Sequence, residues 1–491
     1  MITVGAVDFL RILPEVVLSA FAILVMVLEP AVPRGRKRAL GWLALAGVVA
    51  AGVASISAAR DPGPAFSASV VNDGFSLYFV DLFLVIAALT LLGSMAYLER
   101  DAVNHGEFYA LVLMATVGAA FMAASNDLIV TFIGLEISSL STYVLAGFKR
   151  AETPSNEAAV KYFLLGSFAT AFFLYGIAFV YGLTGTTKLT VFVDAGLNLS
   201  VRERLSGTDA PPQLLGLALI LIFVGLAFKV STSPFHVWTP DVYQGAPAPV
   251  TAYLSTAPKA AAFAVLLRVM LGSFAHGGAL IFWLLWVSAV LTMCVGNLAA
   301  LWQTNAKRLL AYSSIAHAGY VLVGIAAGGS EGVSAVLFYL AGYALMNVGA
   351  FVLIAHLAGT EERRTEIADF TALASERPGT AACLTVFLLS LAGFPSTVGF
   401  FAKFYVFRSA VHAHLIGLTV IALLNSVVSV YYYLRLVVAM YMGEGKTEAS
   451  TAALPGPLGL AVAVSVIGVF FLGLFPSSLL GTLTSVSLRW R

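Results

Sequence analysis

Lys229, Lys259 and Lys403 each stand inside sequence apolar enough to cross a bilayer, and His236 follows the first of them within two helical turns. A charge at the bilayer centre costs about 2.5–3.5 kcal/mol on insertion scales unless it is paired, hydrated or neutralised, so such residues mark an ion or proton path. Burial in low dielectric disfavours an ammonium and brings a lysine toward the range where it exchanges protons at neutral pH, while a nearby carboxylate pushes the other way. A lysine whose carboxylate partner approaches and withdraws is therefore a switchable proton site. Glu136, in SNDLIVTFIGLEISSLSTYVLAG, lies too deep to reach the surface, so it is either protonated or paired with a cation. Lys229 is the candidate partner, because a neutral pair is cheaper to bury than either charge alone; a static pair that only staples two helices is the competing reading.

The remaining ionisable groups sort by depth. Lys161, in NEAAVKYFLLG, stands a few residues into its apolar run and can also snorkel to the surface. Lys259 follows Pro258 in STAPKAAAFAVLLRVM, an otherwise apolar helix, and snorkels less easily. His236, with an ordinary imidazole pKa near ~6.5, suits a relay between a buried lysine and water, although a histidine at a helix end is also often just a satisfied polar group. His317, in AYSSIAHAGY, is a weaker candidate for extending the same path.

Two segments that carry these lysines are interrupted. Lys229 precedes Ser231, Ser233 and Pro234, while Gly393, Pro395, Ser396 and Gly399 precede Lys403. Proline removes a helical hydrogen bond and glycine loosens the chain, so both segments are expected to unwind at Pro234 and Pro395 and to leave backbone groups free near mid-membrane. Broken helices in two halves of a chain are a mark of repeat-built transporters with a midplane site.

The elements that position these groups follow from composition. With 60% hydrophobic and 11% charged residues and a mean hydropathy of +0.93, the sequence reads as an all-α polytopic membrane protein. At about 20 apolar residues per crossing it holds about fourteen helices. They fall near 10–29, 38–59, 75–98, 108–125, 127–148, 158–184, 212–234 with a broken continuation to 246, 248–271, 279–301, 306–327, 332–358, 380–412, 414–442 and 455–485. Only the 185–211 and 359–379 loops are long, which leaves no room for a soluble catalytic domain. The first apolar run lacks a basic n-region and a cleavage site, and is expected to be a retained helix.

Basic residues recur in alternate loops: Arg34, Arg36, Lys37 and Arg38, then Lys149 and Arg150, Lys307 and Arg308, Arg363, Arg364 and Arg377, and Lys446. The positive-inside rule then places both termini away from the cytoplasm, with the mixed-charge loop of Lys188, Asp194, Arg202, Glu203, Arg204 and Asp209 as a weak exception. A formal net charge of +2 suggests no nucleic acid. Cys294 and Cys383 are isolated, with no metal-ligand spacing. Gly445-Lys446-Thr447 is no phosphate loop, since Met440 occupies the first glycine position. No dinucleotide, haem or zinc-protease motif occurs either, so any redox energy must come from partner chains.

FKVSTSPFHVWTPDVYQGAPAPVTAYLSTAPK, LLAYSSIAHAGY and LAGFPSTVGFFAKF closely resemble the antiporter-like proton-translocating subunits of respiratory complex I, the proton-pumping NADH–quinone oxidoreductase, and among them the subunit N type. The resemblance runs from about residue 100 to 442 with strong motifs and more loosely beyond. It implies fourteen helices with two inverted five-helix repeats, helices 4–8 and 9–13, and discontinuous helices 7 and 12. The corresponding segments are 1–107 (helices 1–3), 108–272 (first repeat), 273–442 (second repeat) and 443–491 (helix 14). By the same resemblance Glu136, Lys161, Lys229, His236, Lys259 and Lys403 carry protons, and the chain is a subunit of the oxidoreductase without a redox site of its own. NADH, FMN, iron–sulfur clusters and quinone would then belong to partner subunits, and this chain would hold no cofactor or metal. Its neighbours in the bacterial inner membrane would be an M-like subunit on one side and K-, J- and A-like subunits on the other, with lipid around them. A subunit of a multisubunit cation/proton antiporter or of a membrane-bound hydrogenase is the alternative, because these share the lysine and broken-helix chemistry.

Overall fold

A computed structural model of the chain describes residues 5–190, 200, 201, 203, 204, 212–274 and 278–489. Asp194, Arg202 and Asp209 of the 185–211 loop lie outside the described residues. The fold is the expected all-α membrane architecture. Its helices are α1 (Leu13–Leu28), α2 (Arg38–Ala58), α3 (Gly74–Arg100), α4 (Gly106–Ala124), α5 (Leu128–Ala146), α6 (Thr153–Thr184), α7a (Pro212–Val230) and α7b (Trp238–Gly245). There follow α8 (Ala248–Ser273), α9 (Gly278–Leu301), α10 (Ala306–Ala327), α11 (Gly329–Leu357), α12a (Pro378–Ala392), α12b (Val398–His412), α13 (Ile416–Met442), α14 (Gly456–Leu474) and α15 (Ser477–Arg489). Among the described residues 13 helices are long and apolar enough to cross a membrane. The remaining crossing is α12, whose halves have 15 residues each.

Local sequence fixes most boundaries. Asp73, Asp127 and Asn305 accept hydrogen bonds from the first-turn amides of Ser76 (2.7 Å), Ile129 (2.8 Å) and Arg308 (3.1 Å), which starts α3, α5 and α10. Small residues set the tightest neighbours: a Cβ at Gly118 would lie 2.4 Å from the Ser138 amide nitrogen, and one at Gly296 2.5 Å from that of Ala316. Thus α4 meets α5, and α9 meets α10, at backbone distance. The closest partners are α4/α5 and α6/α7a in the first half and α9/α10 and α11/α12b in the second, the same pairs five helices later.

Three features depart from the expected layout. The last apolar run, expected as one helix over 455–485, turns at Phe475 and Pro476 into the separate helix α15. A hairpin pairs Gly63–Ala65 with Val70–Asn72 between α2 and α3. Finally, α8 carries an interruption at Ser255 and Thr256 and ends in a π-turn over Leu267–Ser273. Pro258, read from sequence only as a neighbour of Lys259, stands just after that interruption.

Candidate functional site

Lys229 ends α7a, where the chain leaves helical geometry through Ser231 in the left-handed region (φ 63°). Its Nζ donates to the Tyr162 hydroxyl (3.1 Å) and lies over the rings of Tyr162 (5.1 Å) and Tyr143 (5.4 Å). The expected Lys229–Glu136 ion pair is not formed: Lys229 makes no ion pair among the described residues. The place a carboxylate would take is filled by aromatic rings, since Tyr143 stands edge-on to Tyr162 (4.6 Å) and Trp238 stacks on Tyr162 (4.5 Å). Glu136, half-buried on α5, stands two turns before Tyr143 on the same helix face.

The breaks differ from expectation in a second respect: many of their backbone groups are not free. Trp238 Nε1 donates to the Phe228 carbonyl (3.0 Å), and the Ser233 amide donates to Thr292 (3.0 Å). In α12, Lys403 Nζ donates to the Ala392 carbonyl (2.9 Å). Pro234 and Pro395 both face outward from this chain. Lys403 itself is buried; Nζ also donates to Ser426 (3.0 Å) and lies over the Tyr320 ring (5.1 Å).

Lys259 occupies the centre. It is 3% exposed, donates to Ser314 Oγ (2.5 Å) and lies over the Tyr243 ring (5.4 Å). Beside it is a cavity of ≈ 10 Å³ lined by Thr256, Lys259, Ser314, His317, Tyr339 and Tyr343, which is room for about one water molecule. His317 continues the line: Nδ1 is 2.6 Å from the Tyr339 hydroxyl, Nε2 is 3.1 Å from that of Tyr433, and the ring is 5.8 Å from Tyr320. Tyr320 is the residue beneath Lys403. A row therefore runs from Lys229 through Tyr162, Trp238 and Tyr243 to Lys259, then through Ser314 and His317 to Tyr320 and Lys403.

His236, in the α7 break, is half-buried and bonds to the Pro234 carbonyl. Lys161 sits apart from the row: its side chain is 40% exposed and pairs with Glu157 (2.6 Å) and Asp241 (2.7 Å). Asp241 in turn holds Arg308 (2.7 Å), so this acid, which sequence reading passed over, ties α6 and α7b to α10. The tyrosines were missed as well, because in an apolar run an aromatic residue looks like core. For Tyr143 the signal was spacing, since it and Glu136 share an i, i+7 face of α5.

Three buried lysines thus stand in a row, held by hydroxyls, carbonyls and ring faces and, among the described residues, by no carboxylate. Known proteins place the chain accordingly. The family described as NADH:quinone oxidoreductase/Mrp antiporter, transmembrane, matches residues 125–429, which sets the class as antiporter-like membrane subunits. A chain of respiratory complex I from Thermus thermophilus superposes with a TM-score of 0.80 at 35% identity, over 96% of this chain and 99% of that one. A chain of the Mrp complex from Dietzia sp. DQ12-45-1b shares the fold at 21% identity, with a TM-score of 0.84 over 99% and 97%. NADH-quinone oxidoreductase subunit N 1 of Solibacter usitatus is 49% identical over 96% of this chain and 95% of its own length. The chain belongs to the subunit N family of NADH-quinone oxidoreductase.

Proposed function

We propose that protons cross this subunit along the row Lys229–Lys259–His317–Lys403, with Glu136 setting the charge at its start through Tyr143 and His236 exchanging protons with water in the α7 break. The observation that carries this reading is Lys259, a fully enclosed lysine with a hydroxyl, a ring face and a one-water cavity around it and no carboxylate within 4 Å among the described residues. A buried ammonium without a counter-ion is tolerated where its proton is exchangeable, whereas a structural lysine would be paired. Lys161 takes a lesser part, as a proton-collecting surface group held by Asp241. The two five-helix units, α4–α8 and α9–α13, each supply one broken helix and one end of the row. Because five is odd, the second unit enters the membrane from the opposite side.

The loops that bear Lys149, Lys307 and Glu362 meet at one end of the molecule. We place that end in the cytoplasm, which puts both termini on the other side of the bacterial inner membrane. Redox chemistry with NADH, FMN, iron–sulfur clusters and quinone belongs to partner subunits, with an M-like neighbour on one side and K-, J- and A-like neighbours on the other. The likeness to the Mrp complex extends to fold alone. Proteoliposomes of the parent complex purified through this chain test the reading: NADH addition should drive proton uptake that persists without sodium. Uptake of radioactive sodium in exchange for protons, with no response to NADH, would replace it with the cation-antiporter reading.

A further inference from the structure

At the end of the molecule where the basic loops meet, a cavity of ≈ 170 Å³ is lined by Tyr97, Lys149, Glu152, Asn305, Lys307 and Glu362. At its wall Glu362 is almost enclosed, with a side chain 9% exposed against Lys307 at 3%. One carboxylate oxygen accepts from Lys307 Nζ (2.5 Å); the other accepts from the Tyr97 hydroxyl (2.5 Å) and the Ala248 amide (2.7 Å) at the start of α8. Lys307 also donates to the Ala246 carbonyl (2.7 Å). Beside this pair, Lys149 contacts Asp101 (2.6 Å) and Glu152 (3.1 Å), and Arg100 holds Asp101 from the other side (2.7 Å). Glu361 and Glu362 both adopt left-handed backbone (φ 58° and 50°), which non-glycine residues rarely do, and the strain is borne where Glu362 is turned inward.

From Glu362 a polar face leads inward. Thr251 lies one turn after Ala248 on α8, Ser255 stands at the α8 interruption, and Lys259 lies in the first turn of the segment beyond it. Asn347 of α11 donates to Ser255 Oγ (2.6 Å), leaving its own Oδ1 buried with no hydrogen-bond partner among the described residues. Tyr343, one turn earlier on α11, lines the cavity of Lys259, and its hydroxyl bonds to the side chains of Asn347 and Ser314. Side-chain hydrogen bonds thus lead from Ser255 through Asn347 and Tyr343 to Ser314, which holds Lys259, and the unpartnered Asn347 Oδ1 among them is a place for a bridging water.

We propose that Glu362 is the proton-entry group of this subunit, taking protons from the cavity beside Lys307 and passing them along the Thr251–Ser255–Asn347–Tyr343 face to Lys259. In each passage an O–H bond forms at a Glu362 carboxylate oxygen as a hydronium ion in the cavity gives up its proton. The proton then leaves Glu362 through bridging water, and an N–H bond forms at a neutral Lys259 amine, so one proton enters and the carboxylate is restored. This route rests on Lys259 being a station of the row.

The test uses the assembled complex in liposomes, with NADH-driven proton uptake measured for Glu362→Gln, Asn347→Leu and Lys259→Met. Glutamine keeps the acceptor for Tyr97 and Ala248 but holds no exchangeable proton, so uptake should fall on the order of a hundredfold, as on removal of a positioned proton carrier. Glu362→Asp, which keeps the carboxyl, should recover part of it. Asn347→Leu removes the link between Ser255 and Tyr343 at similar volume, so a purely structural role predicts a complex that is less stable but active, whereas the route predicts an assembled complex with impaired uptake. If Glu362→Gln destabilises the complex by leaving Lys307 unpaired, Glu362→Gln/Lys307→Met restores neutrality and must still fail to pump. Wild-type uptake in assembled Glu362→Gln and Asn347→Leu, with Lys259→Met inactive, overturns the entry route and leaves the row standing. Wild-type uptake in Lys259→Met overturns both.

Discussion

Gly166 on α6 is where one methyl group tests the seating of Lys229. A Cβ there would fall 2.0 Å from the Tyr143 hydroxyl oxygen and 2.8 Å from its Cζ. Non-bonded heavy atoms rest near ~3.5–4.0 Å, so Gly166→Ala must drive the hydroxyl end of Tyr143 back by more than ~1 Å. Overpacking of that kind costs about 1–3 kcal/mol. The ring that moves is one of the two faces beneath Lys229 and stands against Tyr162, so part of a cation–π interaction of about 0.5–2 kcal/mol is lost as well. Since about 1.4 kcal/mol is a factor of ten, proton uptake by Gly166→Ala complex should fall by roughly that factor, with assembly on native gels retained. Tyr143→Phe keeps the ring beneath Lys229, so alone it should be near neutral. Combined with Gly166→Ala, it should recover most of the loss by removing the closest overlap. Wild-type pumping in Gly166→Ala, or no recovery in the double variant, would refute the claim that Tyr143 seats Lys229.

Glu136→Gln should lower pumping and quinone reduction together while the complex assembles, because it removes the charge acting on Tyr143 at constant volume; assembled enzyme with normal pumping would defeat that role. Gly393 is left-handed (φ 93°) and a Cβ there would meet Lys403 Cδ at 3.1 Å. Gly393→Ala should therefore add about 1–3 kcal/mol of strain and displace Lys403, which thermal inactivation and pumping would both report. Outside the spanning helices, burial pushes the Glu362 carboxyl up, but Lys307, Tyr97 and the Ala248 amide together hold it below the ordinary glutamate value. A group with a depressed folded pKa stabilises above its unfolded value of about 4.3, and that contribution is lost as pH falls through the folded value. Hydrogen exchange in the 359–366 loop, corrected for intrinsic rates, should rise below that window and stay flat above it; a loop that loosens first at alkaline pH would contradict a loop held by the ionised Glu362.

The spanning helices were legible because a 20-residue apolar run has few alternatives in a bilayer, and α10 was bounded by its Asn305 cap and the glycine after Ala327. The break at Pro234 was legible for the same local reason, as was the depth of Lys229, Lys259 and Lys403. Pairing was not. Glu136 and Lys229 are opposite charges two helices apart in the chain, yet which groups touch Lys229 depends on how Tyr143, Tyr162 and Trp238 pack, and sequence periodicity carries no such distance. Asp241 and Glu362 escaped notice because an acid at a helix end or in a loop looks solvated until tertiary structure encloses it. The turn that splits α14 from α15 was hidden by continuous hydrophobicity through Phe475.

The row stands or falls on Lys229→Arg beside Lys229→Met, measured as NADH-driven proton uptake into vesicles of the assembled complex. Arginine keeps the cation over Tyr143 and Tyr162 and can still donate to the Tyr162 hydroxyl, but with a pKa above ~12 it gives up no proton inside a protein. If Lys229 releases and regains a proton in every cycle, both variants assemble and both fail to pump; normal uptake by the arginine variant would contradict the relay and leave Lys229 a fixed charge.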